Sequence, residues 1–450
     1  MTTRRSFLQT GLAGGAALAG LSACGGGGGG SSSSSGGGNN GGGGGSNPPP
    51  AAPILVIVQI DGGNDWLSMA PPTSGANLAA YQSKRSSLRI DAASTTDLGS
   101  GIGLNKDMTG FDALQAAGLV AWIPGIGMPN PNLSHFTAKD IWGYGAATPD
   151  GTGWLGRWAD KIFNASDVLK GVVVESIPPI MLKGHAQSFV SITGSTGFVY
   201  PSYLLRTDAL AAANTLSTGW LQSLSTAGTD PVSLEAYAAC SGSGKQFYDA
   251  QAQFNTLIKA RTPSVPYPGE AAYPVKNLNG GNLTASLSNE LKLIAQMIAS
   301  DLPTQVYYAR LGGWDTHSNQ ATDHPNLQRA LGGAIKAFYD DLAAITTAAG
   351  PAQDRVLIAT WSEFGRRVQE NNGGTDHGTA ALSFCVGKKL KGGLYGSGYP
   401  NLADLDANGN MKFTTDFRSL YATLLERWLG QSATVTDQIL GANYPRLGFL

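Results

Sequence analysis

The side chains best suited to chemistry gather in the stretch Val356–Gly378. Glu363 follows a short apolar run, RVLIAT at 355–360, and precedes a basic pair, Arg366 and Arg367. Beyond a Gly- and Asn-rich loop comes Thr375-Asp376-His377-Gly378, which leads into a second apolar run, Ala381–Val386. A carboxylate at the carboxyl end of a buried strand, with an Asp-His pair entering the next, can bring hard and borderline metal ligands together. Asp61 closes another apolar run, ILVIVQI at 54–60, and Asp315 and His317 follow QVYYAR at 305–310. Mixed histidine and carboxylate donors suit a divalent metal, zinc first, with manganese, magnesium or calcium for a harder set. Two such ions could clamp the oxygens of a phosphoryl or sulfuryl group during displacement.

Each of these residues also has a plainer reading. Asp315 and Asp376 sit in Gly-flanked turns that attract Asp for backbone reasons. Glu363 could pair with Arg366 or Arg367, or Arg366 could meet the anionic part of a substrate. Ser134 stands at the start of an expected helix, either as an N-cap or as a nucleophile whose alkoxide the helix N-terminus would favour; Thr137 stands behind it. His135 could be a ligand or a packed side chain, whereas His185 and His324 are expected at the surface. Asp404–Asn410 matches the first half of a calcium loop, but Thr415 stands where a bidentate Glu belongs, and Asn408-Gly409 also suits a hairpin turn.

The elements that must position these groups alternate in kind. Strands are expected at Ile54–Ile60, Leu119–Pro124, Gly171–Glu175, Gln305–Arg310, Arg355–Thr360 and Ala381–Val386. Helices are expected over Phe111–Gly118, Ser134–Trp142, Leu327–Ala348 and Asp416–Leu429. This alternation predicts an α/β fold: a mostly parallel sheet with helices on both faces, and chemistry gathered beyond the carboxyl ends of the strands. Residues 200–300 turn Ala-, Ser- and Gln-rich with helical spacing, which reads as a helical insertion covering the sheet. With 30 basic against 31 acidic residues the net charge is −1, so no nucleic-acid surface is expected.

Residues 1–24 read as an export signal. TRRSFL at 3–8 precedes an Ala/Gly/Leu-rich segment that resembles a twin-arginine leader, and Leu21-Ser22-Ala23-Cys24 matches a lipobox, with Cys24 as the lipidated residue that would hold the chain to a membrane. Gly25 lacks the Asp that often retains lipoproteins at the inner membrane, which favours the outer membrane and a periplasmic or cell-surface location. Residues 25–50 are Gly, Ser, Asn and Pro, a composition that cannot form a core and would act as a tether spanning roughly 28 Å r.m.s.. The folded domain is expected over 51–450. In such an oxidising compartment a Cys240–Cys385 disulfide is compatible with the sequence.

Five segments carry a family resemblance: GGNDWLSMAPP, NPNLSHFTAKDIWGYG, GGWDTHSNQ, SEFGRRVQENNGGTDHGTA and DFRSLYATLLERWLG. In order, over roughly 54 to 450, they resemble the domain of unknown function 1501 family, which is grouped with the alkaline phosphatase and sulfatase superfamily. The resemblance implies that superfamily's fold and metal-dependent hydrolysis of phosphate or sulfate esters. It makes Asp61 the metal-binding Asp after the first strand, with Asp65 competing for that role. Asp315 and His317 resemble the superfamily's Asp and His ligands, though two apart where four is usual. Glu363 takes the place of the Asp in a strand-end Asp-His pair whose His is here Phe364, and His377 looks like the late His before a strand. The exchange at Phe364 is compatible with a single-metal site, a different metal, or a fold that has lost its chemistry. Two readings follow: an exported, lipid-anchored hydrolase acting on an anionic ester, or a surface binding or assembly protein on the same scaffold.

Overall fold

Seven consecutive buried residues make Ile54–Ile60 (β1) the middle of the sheet, because a strand covered on both faces tolerates no polar alternation. The computed structural model describes residues 52–164, 166–175, 178–187, 189–194, 250–269 and 284–450. The expected leader and tether, Cys240 and most of the expected insertion lie outside the described residues. Of that insertion, residues 250–257 and Thr284–Ala299 are helical.

Apart from two small ribbons, Thr95–Gly99 with Ile102–Asn105 and Thr346–Thr347 with Gly350–Pro351, the other strands are β2 (Val120–Gly127), β3 (Gly171–Val173), β4 (Val190–Ser191), β5 (Val306–Leu311), β6 (Val356–Trp361), β7 (Gly365–Glu370), β8 (Thr375–Gly378), β9 (Ala381–Val386), β10 (Gly393–Leu394) and β11 (Thr415–Asp416). Nine of these eleven strands form one sheet in the order β10-β2-β9-β6-β1-β5-β3-β4, with β11 also on β2. β1 pairs in parallel with β6 and β5, and β9 runs antiparallel to both β6 and β2. The mostly parallel α/β sheet read from the sequence is therefore the one observed. The antiparallel β9 matters for the site. A parallel successor to β6 would need a crossover to the opposite edge. Instead the chain leaves β6, folds into the β7–β8 hairpin, and descends from the same edge, which keeps His377 beside Glu363.

Strand alternation divides the core in two. Val56, Val58 and Ile60 face one cluster, which the helices Thr284–Ala299 and Gln320–Ala343 cover through Leu291, Ile294, Leu331 and Ile335. Leu55 and Ile57 face the other, built from Trp142, Trp154, Trp158, Phe417 and Tyr421 on helices that include His135–Tyr144 and Trp154–Ile162. Among the described residues, no helix is long and apolar enough to cross a membrane.

Several expectations need correction. The helix expected from Leu327 begins at Gln320 and carries Pro325 inside it. Asp416–Leu429 is not one α-helix: Asp416 caps it by accepting from Arg418 N, the α-helix ends at Thr423, and Leu424–Trp428 continues as a π turn. The calcium-like loop is closed by its own groups. Asp406 Oδ1 accepts from the N–H groups of Asn408 and Asn410, each at 2.8 Å, and Lys412 pairs with Asp404 at 2.6 Å. His324 is buried rather than at the surface, with 1% exposure. Cys385 is a buried free thiol, whose ionisation burial makes harder.

Candidate metal centre

Four chain segments meet at the carboxyl edge of the sheet. β1 delivers Asp61, β5 runs into the loop bearing Asp315, β6 ends just before Glu363, and β7 pairs Arg366 with His377 on β8. The loops after β1 and β5 touch because Gly62 has no side chain. At its φ of +128° a Cβ would lie 2.5 Å from Asp315 N. The helix His135–Tyr144 adds its first residue from the second face.

Donor atoms of His135, Asp315 and His377 all lie within 4.8 Å of one another. His377 Nε2 is 3.2 Å from Asp315 Oδ1 and 3.0 Å from His317 Nε2, and His317 Nε2 is itself 3.0 Å from Asp315 Oδ1. The other nitrogen of His377, Nδ1, donates to the Leu133 carbonyl at 2.7 Å, which leaves Nε2 as a lone pair turned to the cluster. Glu363 does the same for His135: its Oε1 accepts from His135 Nδ1 at 2.8 Å and from Gly62 N at 3.0 Å. His135 Nε2 then points inward, 3.4 Å from Asp315 Oδ2 but without the geometry of a hydrogen bond.

These observations fit a divalent cation. His135 Nε2 and Glu363 Oε2 are buried without a hydrogen-bond partner, and two imidazole nitrogens face each other at 3.0 Å. Buried polar atoms left so cost free energy unless something pairs with them. Three histidines around one carboxylate are a borderline donor set of the type zinc prefers. Partial burial opposes ionisation of Asp315, but His135, His377 and Arg366 outweigh it and hold the carboxyl well below the usual range. The Asp315 and Glu363 carboxylates beside His135 push its imidazole up to about 9.

The other expected residues are placed differently. Glu363, read as a ligand, spends Oε1 on His135 and Gly62, while its buried Oε2 is left without a partner. Arg366, read as a substrate anchor, is 0% exposed and spent inward. Its Nε donates to Gly63 O at 2.6 Å, Nη1 to Thr375 O at 2.8 Å, and Nη2 to Gly62 O at 2.6 Å and Asp315 Oδ1 at 2.5 Å. It fastens the loops around the cluster, and its one remaining N–H, on Nη1, faces His317 Nε2 at 3.4 Å. Asp61 reaches the same edge, where Lys139 and Arg310 hold its two oxygens, the latter at 2.8 Å. Asp376 accepts from Asn371 and stands 3.4 Å from His317 Nδ1, behind the ring. Ser134 occupies the N-cap position, but its hydroxyl is exposed, caps nothing and makes no hydrogen bond to a described residue. Asp65, the rival to Asp61, is fully buried in a two-pronged pair with Arg85 at 2.5 and 2.7 Å.

Sequence reasoning left His135 undecided and passed over Lys139. The signal available was their spacing, one helical turn apart immediately after β2, which puts both on one helix face. Phe364 lays its ring against His135 and His377 with centroids 4.9 and 4.5 Å apart.

A family model described as "Protein of unknown function (DUF1501)" matches residues 292–440, about a third of the chain. The matched stretch holds Asp315, His317, Glu363 and His377, whereas Asp61 and His135 precede it. No curated protein matches the chain. Among solved structures, the C-terminal periplasmic domain of EcEptC from Escherichia coli aligns with a TM-score of 0.36 and 10% identity, covering 88% of this chain and 90% of that one. Its complex with Zn gives 0.35 and 9%, covering 85% and 87%. The PsFucS1 sulfatase from Pseudoalteromonas sp. gives 0.34 and 12%, covering 88% and 73%. At such scores the likeness is coarse, and what the centre does is read from the chain's own side chains.

Proposed function

We propose that this chain is a divalent-metal-dependent hydrolase of phosphate or sulfate esters, exported by the twin-arginine route and held to a membrane through lipid on Cys24. The observation that carries the hydrolase reading is the convergence of His135, Asp315 and His377, with His317 beside them, at the carboxyl edge of an α/β sheet. Such an ion, zinc before manganese, magnesium or calcium, would supply Lewis acidity at an ester oxygen. The chain's own residues do the rest. Glu363 and the Leu133 carbonyl fix the tautomers of His135 and His377. Arg366 holds the loops after β1 and β5 in register with β8. Lys139, a third exposed, offers a positive charge toward an anionic substrate. Ser134, with an exposed hydroxyl adjacent to His135, is the nucleophile to test.

The opposing reading, a binding or assembly protein without chemistry, draws on Phe364, whose ring takes the place of a potential ligand, and on the Ser134 hydroxyl, which makes no hydrogen bond to a described residue. The two separate in one experiment. Metal content is measured on the purified full chain, alongside hydrolysis of aryl phosphates and aryl sulfates, with Asp315→Ala and His377→Ala as controls. Stoichiometric metal and activity, both lost in the variants, support the hydrolase. A folded, metal-free, inert chain supports the binder.

A further inference from the structure

One residue after His135, Phe136 is 84% exposed, and among the described residues only Ile162, at 41%, is another exposed large hydrophobic side chain. A single exposed ring is ordinary on a protein surface; this one borders a cleft beside the donors, lined by Lys139, Ile180, Met181 and Trp361. The same helix turn explains its direction. His135 and Lys139 form one row along the helix, and Phe136 and Asp140 form the next. Phe136 thus opens a cleft of about 220 Å³, walled by Ile180, Met181 and Trp361 and bounded by Lys139. Gly143 lets the turn at Ile180 close against the helix, since a Cβ there would sit 2.2 Å from Ile180 Cγ2. The volume suits one ring or a short chain rather than a large ligand.

Resting on the hydrolase reading above, we infer that this cleft is the subsite for the uncharged organic group of the ester, an aryl or compact alkyl alcohol, with Phe136 laid against it. Lys139 joins the two regions: it lines the cleft and also binds Asp61 at the sheet edge. An ester whose charged end lies at the metal donors and beside Lys139 would point its other end along Phe136. Asp140, on the cleft rim, disfavours a second anion there and selects a neutral group.

The test uses the full chain loaded with zinc and two inert probes, phenylphosphonate and methylphosphonate, titrated by calorimetry. Wild type is expected to bind phenylphosphonate about tenfold or more tightly than methylphosphonate, as an apolar pocket discriminates a buried ring. Phe136→Ala and Phe136→Asp, at an exposed position that does not threaten folding, are expected to erase most of that ratio with metal content unchanged. Equal binding of both probes by wild type, or a ratio untouched by both variants, overturns the subsite while leaving the hydrolase reading in place. If neither probe binds metal-loaded wild type, the anionic-ester reading falls and the subsite with it.

Discussion

Glu363 Oε1 lies 2.8 Å from His135 Nδ1, inside the protein and at 0% exposure of the glutamate side chain. A buried carboxylate so placed settles which imidazole nitrogen carries hydrogen and which is left to bind. Glu363→Gln keeps the shape and removes the charge. Its zinc affinity, measured by competition with a chromophoric chelator, is expected to fall by about 10- to 100-fold.

His377 and His317 are near neighbours with unequal standing. His377 belongs to the compact trio with His135 and Asp315, and its far nitrogen is anchored on Leu133. His317 is 45% exposed, and its far nitrogen, Nδ1, meets only the Asp376 carboxylate, at 3.4 Å. His377→Ala is therefore expected to abolish stoichiometric metal, and His317→Ala to weaken it while retaining one ion at saturation. Metal titrations of the two variants decide the order.

The sequence made the scaffold legible because buried parallel strands announce themselves as unbroken apolar runs. β1 and β9 fall at the bounds read from residue type alone. The site was legible only in part. Asp315, His317 and His377 were marked by turns beside strands, and these do meet. Which carboxylate touches the centre and which stands behind it depends on loop paths after β1, β5 and β6, and short-range patterns do not encode them. Arg366 is read in sequence as meeting the anionic part of a substrate, yet it ties Gly62, Gly63 and Thr375 carbonyls and Asp315 together. A charged side chain that ties distant backbone carbonyls looks, in sequence, like one that awaits a ligand.

Asp65 and Arg85 form an ion pair with both side chains at 0% exposure. Removing one partner strands the other charge out of water, which typically costs 3–5 kcal/mol. Asp65→Ala is expected to lose about that much stability in urea unfolding. Metal bound per folded chain should not change, which distinguishes this Asp from the centre's own.

His324 gives the stability a pH dependence. Burial, first of all, lowers its pKa from 6.5 to about 4, and its Nε2–H donates to Asn64 while Nδ1 accepts from Gln328 at 2.8 Å. The neutral ring is thus satisfied on both sides. Between pH 6.5 and 4 the unfolded chain takes up a proton that the folded chain refuses, so stability falls with pH through that window, by up to roughly 3 kcal/mol. Urea midpoints at pH 7 and pH 5 are expected to differ in wild type and to converge in His324→Gln.

The antiparallel run of β9 has a mechanical consequence. Because the chain turns back at the edge it has just reached, the hairpin strand bearing His377 comes beside the loop of Asp315 and the helix start of His135. An ion gripped by His135, Asp315 and His377 would act as a rivet through all three. Chelation should then loosen them together, and a protease added to stripped protein should find new cut points near each donor at the same time.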